Sequence, residues 1–360
     1  MVEFLSDYGL FLLKAVTVVA AFAVIVGTVV AAGARGVREE RGHIEVLHLN
    51  ERFDQLAAAL KDVVLDAAAI KQDLKQQKKA EKDAHKASRK AQKKRRGGAD
   101  AEHRAADRRR RLYVIDFDGD IKASAVRQLR EEISAVLTLA TAMDEVVVKL
   151  ESGGGMVHSY GLAASQLQRI RNRGVPLTVC VDKVAASGGY MMACIANKII
   201  AAPFAMLGSI GVVAQLPNFN RLLKKHDVDF EMLTAGEYKR TLTLFGENTD
   251  KGREKFVEEL EQTHELFKVF VQEHRPQVDI DRIATGEVWF GTQAIGKKLV
   301  DEINTSDQYL MDQRDSADLY EVRYVAKRSV QERLGLAAEG ALSRTVERAL
   351  AGLQQSRFFT

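Results

Sequence analysis

Short apolar runs alternate with longer amphipathic stretches along the chain from residue 112 onwards. The apolar runs, rich in Val and Ile, predict strands at 112–117, 145–150, 177–181 and 198–201. The amphipathic stretches predict helices at 125–140, 155–172 and 252–275, a short helix after Gly188 and further helical structure over 277–300. Strands separated by helices require crossover connections, so the pattern predicts an α/β fold with a largely parallel sheet.

The N-terminal part of the chain contains one long apolar stretch. Residues 15–34 hold 20 positions without a charge, enough at about 1.5 Å per residue to cross a hydrocarbon core of roughly 30 Å. We predict a short tail at 1–9 and a transmembrane anchor at 10–34. A cleaved signal peptide is the alternative, since residues 32–34 resemble a cleavage site. The stretch exceeds the usual signal length, however, and acidic residues stand where a basic cluster is usual.

Apolar residues recur at heptad spacing after the anchor. Their positions follow steps of 4 and 3: Leu49, Phe53, Leu56, Leu60, Val63, Ala67, Ile70 and Leu74. This is an a/d seam, and it predicts a helical stalk over 35–75. Two interpretations remain open, namely one amphipathic helix lying on the main domain and a coiled coil that joins protomers.

Charge is segregated along the chain. Residues 71–111 hold 17 Lys/Arg and 6 Asp/Glu, a net charge of +11, whereas the rest holds 36 against 43, a net charge of −7. The basic stretch has no aromatic residue and few large apolar ones, so it cannot bury enough surface to fold alone. We interpret 76–111 as a charged linker that touches anionic lipid. Nucleic acid is not an expected partner, because there is no aromatic interleaving and no binding motif.

Residues 112–328 form the predicted main domain and 329–360 a predicted C-terminal amphipathic helix.

Composition excludes several classes of protein and kinds of site. A hydrophobic fraction of 46% and a charged fraction of 28% exclude collagen-like and wholly disordered classes. Two cysteines, Cys180 and Cys194, exclude a disulfide framework and an all-cysteine metal site, and they fit plain buried thiols. The histidines show no ligand spacing, so we expect no metal and no cofactor.

Two glycine-bearing turns follow predicted strands. They are Ser152-Gly153-Gly154-Gly155 and Ser187-Gly188-Gly189. Functional groups of open α/β sheets gather at the carboxyl ends of strands. A serine that opens a helix offers an exposed hydroxyl and donor amides, and glycines let backbone approach a substrate. Each turn alone also fits a purely structural role. Neither matches the G-x-S-x-G elbow or the phosphate-binding loop.

Residue types alone do not identify a base for Ser187. His158, three residues after the glycines, would give a Ser-His arrangement, although a solvated helix position is the plainer interpretation. A lysine can serve instead if burial leaves its amine neutral. Among 53 Lys and Arg residues, composition does not choose one.

Five segments in order carry a family resemblance. They are S-G-G-G at 152–155, A-S-G-G-Y at 186–190, L-G-S-I-G-V at 207–212, G-E-Y-K-R at 236–240 and a run from Gly286 to Ile303. Together they resemble the signal peptide peptidase A family of membrane-bound serine proteases. The anchor, stalk and charged insert resemble one branch of that family in particular. The resemblance implies a ClpP/crotonase-like fold.

The resemblance also implies a Ser-Lys dyad. Ser187 matches the nucleophile, Lys239 the general base, and Ser209 the hydroxyl that orients the lysine amine. The amide of Gly188 and one from Gly154 or Gly155 match the oxyanion hole. One departure is that Gly153 stands where the family usually has proline, which leaves the turn looser.

The implied activity is endopeptidase cleavage of signal-peptide remnants or of unfolded and membrane-derived polypeptides. Expected partners are such a peptide, membrane lipid and further copies of the chain. The alternatives are a crotonase-type acyl-CoA enzyme and an inactive membrane scaffold on the same fold. The expected location is a bacterial inner membrane with a single span. The resemblance indicates that the catalytic domain is periplasmic, whereas arginines after the span indicate the cytoplasm.

Overall fold

The computed structural model describes residues 9, 12–14, 16–18, 42–65, 82 and 108–326. The chain divides into two compact units, one of residues 44–325 and one of residues 1–43 with 326–360. Most of the predicted anchor at 10–34, most of the linker at 76–111 and all of the C-terminal helix at 329–360 lie outside the described residues. Among the residues that are described, no helix is both long and apolar enough to cross a membrane.

A mixed but mainly parallel sheet forms the centre of the larger unit. Its strands, numbered within the described residues, are β1 (His43–His48), β2 (Arg110–Gly119), β3 (Glu145–Ser152), β4 (Leu177–Val181), β5 (Val184–Ala186), β6 (Lys198–Ala201), β7 (Met206–Gly208), β8 (Val288–Phe290), β9 (Glu302–Ile303) and β10 (Ala317–Val325). The main order is β1-β10-β2-β3-β4-β6-β9. A short branch of β5, β7 and β8 leaves the end of β3, where Ser152 pairs with Ala185. The β7–β8 pair is antiparallel.

Helices connect the strands. They are α1 (Leu49–Val64), α2 (Val126–Leu137), α3 (Val157–Asn172), α4 (Gly188–Ala193), α5 (Asn220–Lys225), α6 (Asp250–His274), α7 (Ile280–Ile283), α8 (Gly291–Ala294) and α9 (Ser306–Gln313). Alternate residues of β2 enter two separate hydrophobic clusters, Ile115 and Phe117 on one face and Leu112 and Val114 on the other. Both faces of the central strands are therefore covered, as parallel sheets require. The predicted α/β class is confirmed.

Two segments predicted to be helical contain strands. Residues 43–48, inside the predicted stalk of 35–75, form β1 beside β10. Residues 288–290, inside the stretch 277–300, form β8. The three residues of β8 are β-branched or aromatic, and they pair with β7. The helices on either side of β8, α7 and α8, are one turn each.

The predicted linker ends earlier than residue 111, because its last arginines belong to the sheet domain. Arg108 donates to both carboxylate oxygens of Asp144, at 2.6 and 2.7 Å, and Arg111 binds the same carboxylate. Burial opposes ionisation of Asp144, yet hydrogen bonds from these arginines hold its pKa well below the usual range. The fully buried carboxylate of Asp144, which directly precedes β3, therefore connects the start of β2 to the start of β3.

The apolar seam of α1 touches the domain only at its start. Leu49 is 6% exposed and Phe53 packs against the smaller core cluster, whereas Leu56, Leu60 and Val63 are 57%, 67% and 86% exposed. The interpretation of a helix lying on the domain therefore holds for the first turns alone. The rest of the described seam is uncovered.

Glu132 of α2 gives the domain a pH-dependent stability. The residue is 6% exposed, and its carboxylate accepts a hydrogen bond from the backbone N–H of Tyr324 at 2.8 Å. Burial raises its pKa to about 7, Asp116 adds to the effect and Arg323 opposes it. Since the folded value exceeds the unfolded one, its contribution is fully present below pH ~4.5 and is lost as the pH rises through ~7.

We expect Glu132→Gln to raise the free energy of unfolding at pH 8 by about 3 kcal/mol relative to the unchanged chain, because the shift spans about 2.5 pKa units. At pH 4 the gain should vanish, since the glutamate is then protonated in both states. Denaturant unfolding at the two pH values measures this. An equal difference at both would contradict the assignment.

Candidate active site

Ser187 lies at the junction of β5 and α4, where the chain turns sharply. Its backbone has φ 52° and ψ −118°, a conformation that a non-glycine residue adopts at a cost of about 1–3 kcal/mol. The Ser187 amide donates to the carbonyl of Gly208 at 2.7 Å, which fixes the turn against β7. The result is a strand-to-helix elbow that presents the side chain at a strand end, without the G-x-S-x-G sequence.

The glycine turn after β3 packs directly against this serine. Gly154 has φ +87°, and a Cβ there would lie 2.7 Å from the Ser187 Cβ and from the Gly188 nitrogen. Glycine is therefore required at this position, for its conformation and for the close approach. The Gly154 amide donates to Ser152 Oγ at 3.1 Å. Gly155 has no hydrogen-bond partner for its amide among the described residues.

A cavity of about 690 Å³ opens between these turns and the segment after β7. Ser187, Gly154, Gly155 and Ser209 all line it. Ser209 also has a positive φ of 51°, and its amide donates to the carbonyl of Glu287 at 2.6 Å, which continues the β7–β8 pairing. The structure thus brings together five predicted site residues, since Gly188 adjoins Ser187.

Lys239 is not among the residues that line the cavity. It lies in residues 212–249, here called the arm, which connect the segment after β7 to α6. Within the arm only Gly246 is buried, and Lys239 is exposed. Its amine makes no hydrogen bond or ion pair to any described residue. Within one chain, the predicted nucleophile Ser187 therefore lines the cavity, whereas the predicted base Lys239 lies outside it.

The cavity contains a histidine other than His158, whose exposure agrees with the preferred interpretation of a solvated helix position. His158 is exposed at the start of α3. His264 of α6 lines the cavity, and its Nε2 lies 3.2 Å from the carbonyl of Ile210. A sequence signal for it exists, because the buried residues Phe267 and Val271 follow at the +3 and +7 positions of the same helix face.

The part of the chain that the structure describes contains no group of three or more His, Cys, Asp or Glu that could hold a metal ion. Cys180 and Cys194 are both buried. Burial raises the pKa of the Cys180 thiol to about 12 and that of Cys194 still further. Both are inert thiols at neutral pH, as predicted.

Two family models match almost the whole chain. Residues 3–167 match the model of peptidase family S49, N-terminal, and residues 169–320 match that of peptidase family S49. A probable protease SohB of Haemophilus influenzae is 48% identical over 357 residues, which cover 99% of each chain. A probable protease SohB of Buchnera aphidicola is 62% identical over 200 residues, or 56% of this chain and 66% of the relative.

A similar solved structure is a membrane-bound stomatin-specific protease, 1510-N, in complex with a substrate peptide. It has a TM-score of 0.38 and 12% identity, and the match covers 63% of this chain and 96% of that one. The sequence matches confirm the predicted family resemblance, with SohB proteases among the relatives. With its two models matched in order and a relative aligned from end to end, the chain belongs to peptidase family S49.

Proposed function

We propose that this protein is a membrane-anchored serine endopeptidase with Ser187 as nucleophile and Lys239 as general base. The observation that carries the proposal is the strained elbow at Ser187, which faces a cavity bounded by a glycine loop. Strain of this kind persists where the surrounding structure enforces it, and it clusters at catalytic positions. Membership of a peptidase family gives the reaction class.

The reaction follows the acyl-transfer scheme. Lys239, as a neutral amine, accepts the Ser187 proton while Oγ attacks the peptide carbonyl carbon. Lys239 then gives that proton to the leaving amine, and water hydrolyses the acyl-enzyme with the lysine again as base. The hydroxyl of Ser209, which lines the same cavity, orients the amine.

Backbone amides stabilise the oxyanion. The Gly188 amide opens α4 and is free of helical bonding, as the first amides of a helix are. Between the two glycine candidates the hydrogen bonds favour Gly155, because the Gly154 amide already donates to Ser152. Losing one such donor typically costs about 2.7–4 kcal/mol of transition-state stabilisation.

The dyad needs the arm to change position or a neighbouring copy to supply the lysine. The arm exposes many large apolar side chains, among them Val213 at 81% and Leu233 at 93%. Surfaces of this kind are normally covered in the working state of a soluble domain. When the arm packs against another surface, its new position would bring Lys239 from solvent into a cavity.

The proposed fold class is ClpP/crotonase-like. Support comes from the short β5-β7-β8 branch, which leaves the central sheet at Ser152 and whose first strand ends directly before Ser187. The proposed substrates are unfolded or membrane-derived peptides, such as signal-peptide remnants, because an open cavity between two backbone segments suits an extended chain.

The apolar stretch 10–34 supports single-pass anchoring in a bacterial inner membrane. The proposal leaves open on which side of that membrane the catalytic domain lies.

Labelling with a fluorophosphonate tests the proposal. We expect the reagent to modify Ser187 in the full-length protein, and Lys239→Ala to suppress the modification. An acyl-CoA enzyme on the same fold would not need Lys239, and an inactive scaffold would not be labelled. Mass spectrometry of the labelled peptide identifies the site. Modification at a different serine would refute the assignment.

We further propose a homo-oligomer, supported by two uncovered apolar surfaces. One is the arm, and the other is the stripe of Leu56, Leu60 and Val63 on α1. The stripe continues the a/d spacing that fits a second copy of the same helix.

Leu60→Glu combined with Val63→Glu is expected to weaken the oligomer, because it places charges in the seam. Light scattering of the intact, detergent-solubilised protein measures the mass. The matched control is Gln55→Glu with Ala58→Glu, which adds the same number of glutamates to the outer face of the same helix. A monomer in the unchanged protein, or equal masses for both variants, would contradict the role of the seam.

A further inference from the structure

A chain of buried hydrogen bonds runs beneath the glycine loop. The Gly154 amide donates to Ser152 Oγ, Ser152 Oγ is hydrogen-bonded to the Tyr160 hydroxyl, and that hydroxyl donates to the Asp120 carbonyl at 2.7 Å. Ser152 is 2% exposed and Tyr160 is not exposed at all. Each hydroxyl also faces a carbonyl, Ser152 that of Gly119 at 3.1 Å and Tyr160 that of Asp120, so either hydroxyl can supply the proton they share. In both arrangements the bonds connect the Gly154 amide to Ser152 and Tyr160.

The same two residues also support the nucleophile helix. A Cβ at Gly188 would lie 2.4 Å from Cγ of the Tyr160 ring, so the ring is in direct contact with the backbone after Ser187. A Cβ at Gly189 would lie 2.5 Å from the Ser152 carbonyl oxygen. The Tyr160 side chain thus meets the nucleophile turn with its ring and the glycine loop through its hydroxyl.

The glycine loop needs such support because its own sequence provides little stiffness. Three successive glycines carry no Cβ, and each has more conformational freedom to lose than any other residue. Gly153 stands where proline would fix φ. Amides that stabilise an oxyanion must be held within about 0.5 Å of their working position.

We propose that Tyr160 is a positioning residue that fixes both halves of the oxyanion hole, the Gly155 amide through Ser152 and Gly154, and the Gly188 amide through its ring. The inference rests on the function proposed above, since it assumes acyl transfer at Ser187. Tyr160 touches no substrate, and it acts only through the backbone of the two turns.

Tyr160→Phe tests the hydroxyl while it leaves the ring against Gly188. Ser152 Oγ keeps its hydrogen bond to the Gly119 carbonyl, 3.1 Å away, so the buried serine hydroxyl retains an acceptor. We expect kcat for a peptide to fall about 10- to 100-fold, because a misplaced donor weakens transition-state stabilisation. KM should stay within about twofold. The affinity for a peptide boronic acid, whose tetrahedral adduct on Ser187 mimics the oxyanion, should fall by the same factor as kcat.

Tyr309→Phe is the matched control. Its hydroxyl is also buried, donates to Glu145 Oε1 at 2.7 Å and lies far from the glycine loop, at the other end of β3. We expect a similar loss of thermal stability and an unchanged kcat.

Gly153→Pro is the rescue variant. Gly153 does not have a positive φ, and an added Cβ there would meet nothing within 4 Å. Introduced into Tyr160→Phe, it should recover part of the lost kcat, because it stiffens the loop by a different route. A merely structural role for Tyr160 would not be rescued in this way.

An unchanged kcat in Tyr160→Phe, or equal losses of kcat in Tyr160→Phe and Tyr309→Phe, would overturn the positioning role. That result leaves the proposed function standing if Ser187→Ala is inactive. Full activity of Ser187→Ala would overturn the function itself and the inference with it.

Discussion

Replacement of Ser187 by alanine is expected to abolish peptide hydrolysis and to leave the fold intact. Removing the nucleophile of a serine peptidase lowers kcat by about 10⁴-fold or more. The fold should survive because the hydroxyl makes no hydrogen bond to any described residue. Alanine at position 187 would adopt the same positive φ as serine at a similar energetic cost, so the backbone strain does not change. The measurement is turnover of an unfolded protein substrate, together with thermal unfolding of the purified full-length chain.

Ser165→Ala is the matched control for that experiment. Ser165 lies in α3, outside the cavity, and its hydroxyl donates only to the Gly161 carbonyl one turn earlier. We expect full activity for this variant. If the Ser187 variant keeps turning over substrate while it remains folded, another residue is the nucleophile.

The strands that the sequence predicted well are those buried on both faces. β4 and β6 have the predicted bounds, and β2 and β3 begin or end within two residues of theirs. Continuous apolar runs mark such strands clearly. Strands β5, β7, β8 and β9 have two to three residues each, too few for a periodicity to register. They exist because tertiary pairing stabilises them, and that information is not local.

The site was predictable where its signal is local. Ser187, Gly154 and Gly155 lie in glycine-bearing turns whose backbone requirements are visible in the sequence, and the cavity joins them. His264 is not predicted because its signal, the apolar residues Phe267 and Val271 three and seven positions later, indicates a buried helix face and does not indicate a cavity. Lys239 is predictable only through the family resemblance, because its position relative to the cavity depends on where the arm packs.

Lys239→Arg is expected to eliminate hydrolysis while the protein folds and assembles normally. Arginine keeps the positive charge and the long side chain at this exposed position. Its guanidinium stays protonated in proteins, so it cannot accept the Ser187 proton. Ser209→Ala should lower the rate less, because that hydroxyl orients the amine and takes no proton from the substrate. Lys225→Arg, at another exposed lysine of the arm, is the control that should stay active.

Two variants decide between lysine and histidine as the base. His264→Gln and His158→Ala should both retain most of the activity if Lys239 is the base, although His264 lines the cavity. Near-normal hydrolysis by Lys239→Arg together with inactive His264→Gln would establish a Ser-His pair and refute the dyad.

Mixing the inactive Ser187→Ala and Lys239→Arg chains before assembly tests whether the lysine comes from the same chain as the serine or from a neighbouring copy. Recovered activity means that a neighbouring copy supplies it, because only a mixed pair then holds one intact serine beside one intact lysine.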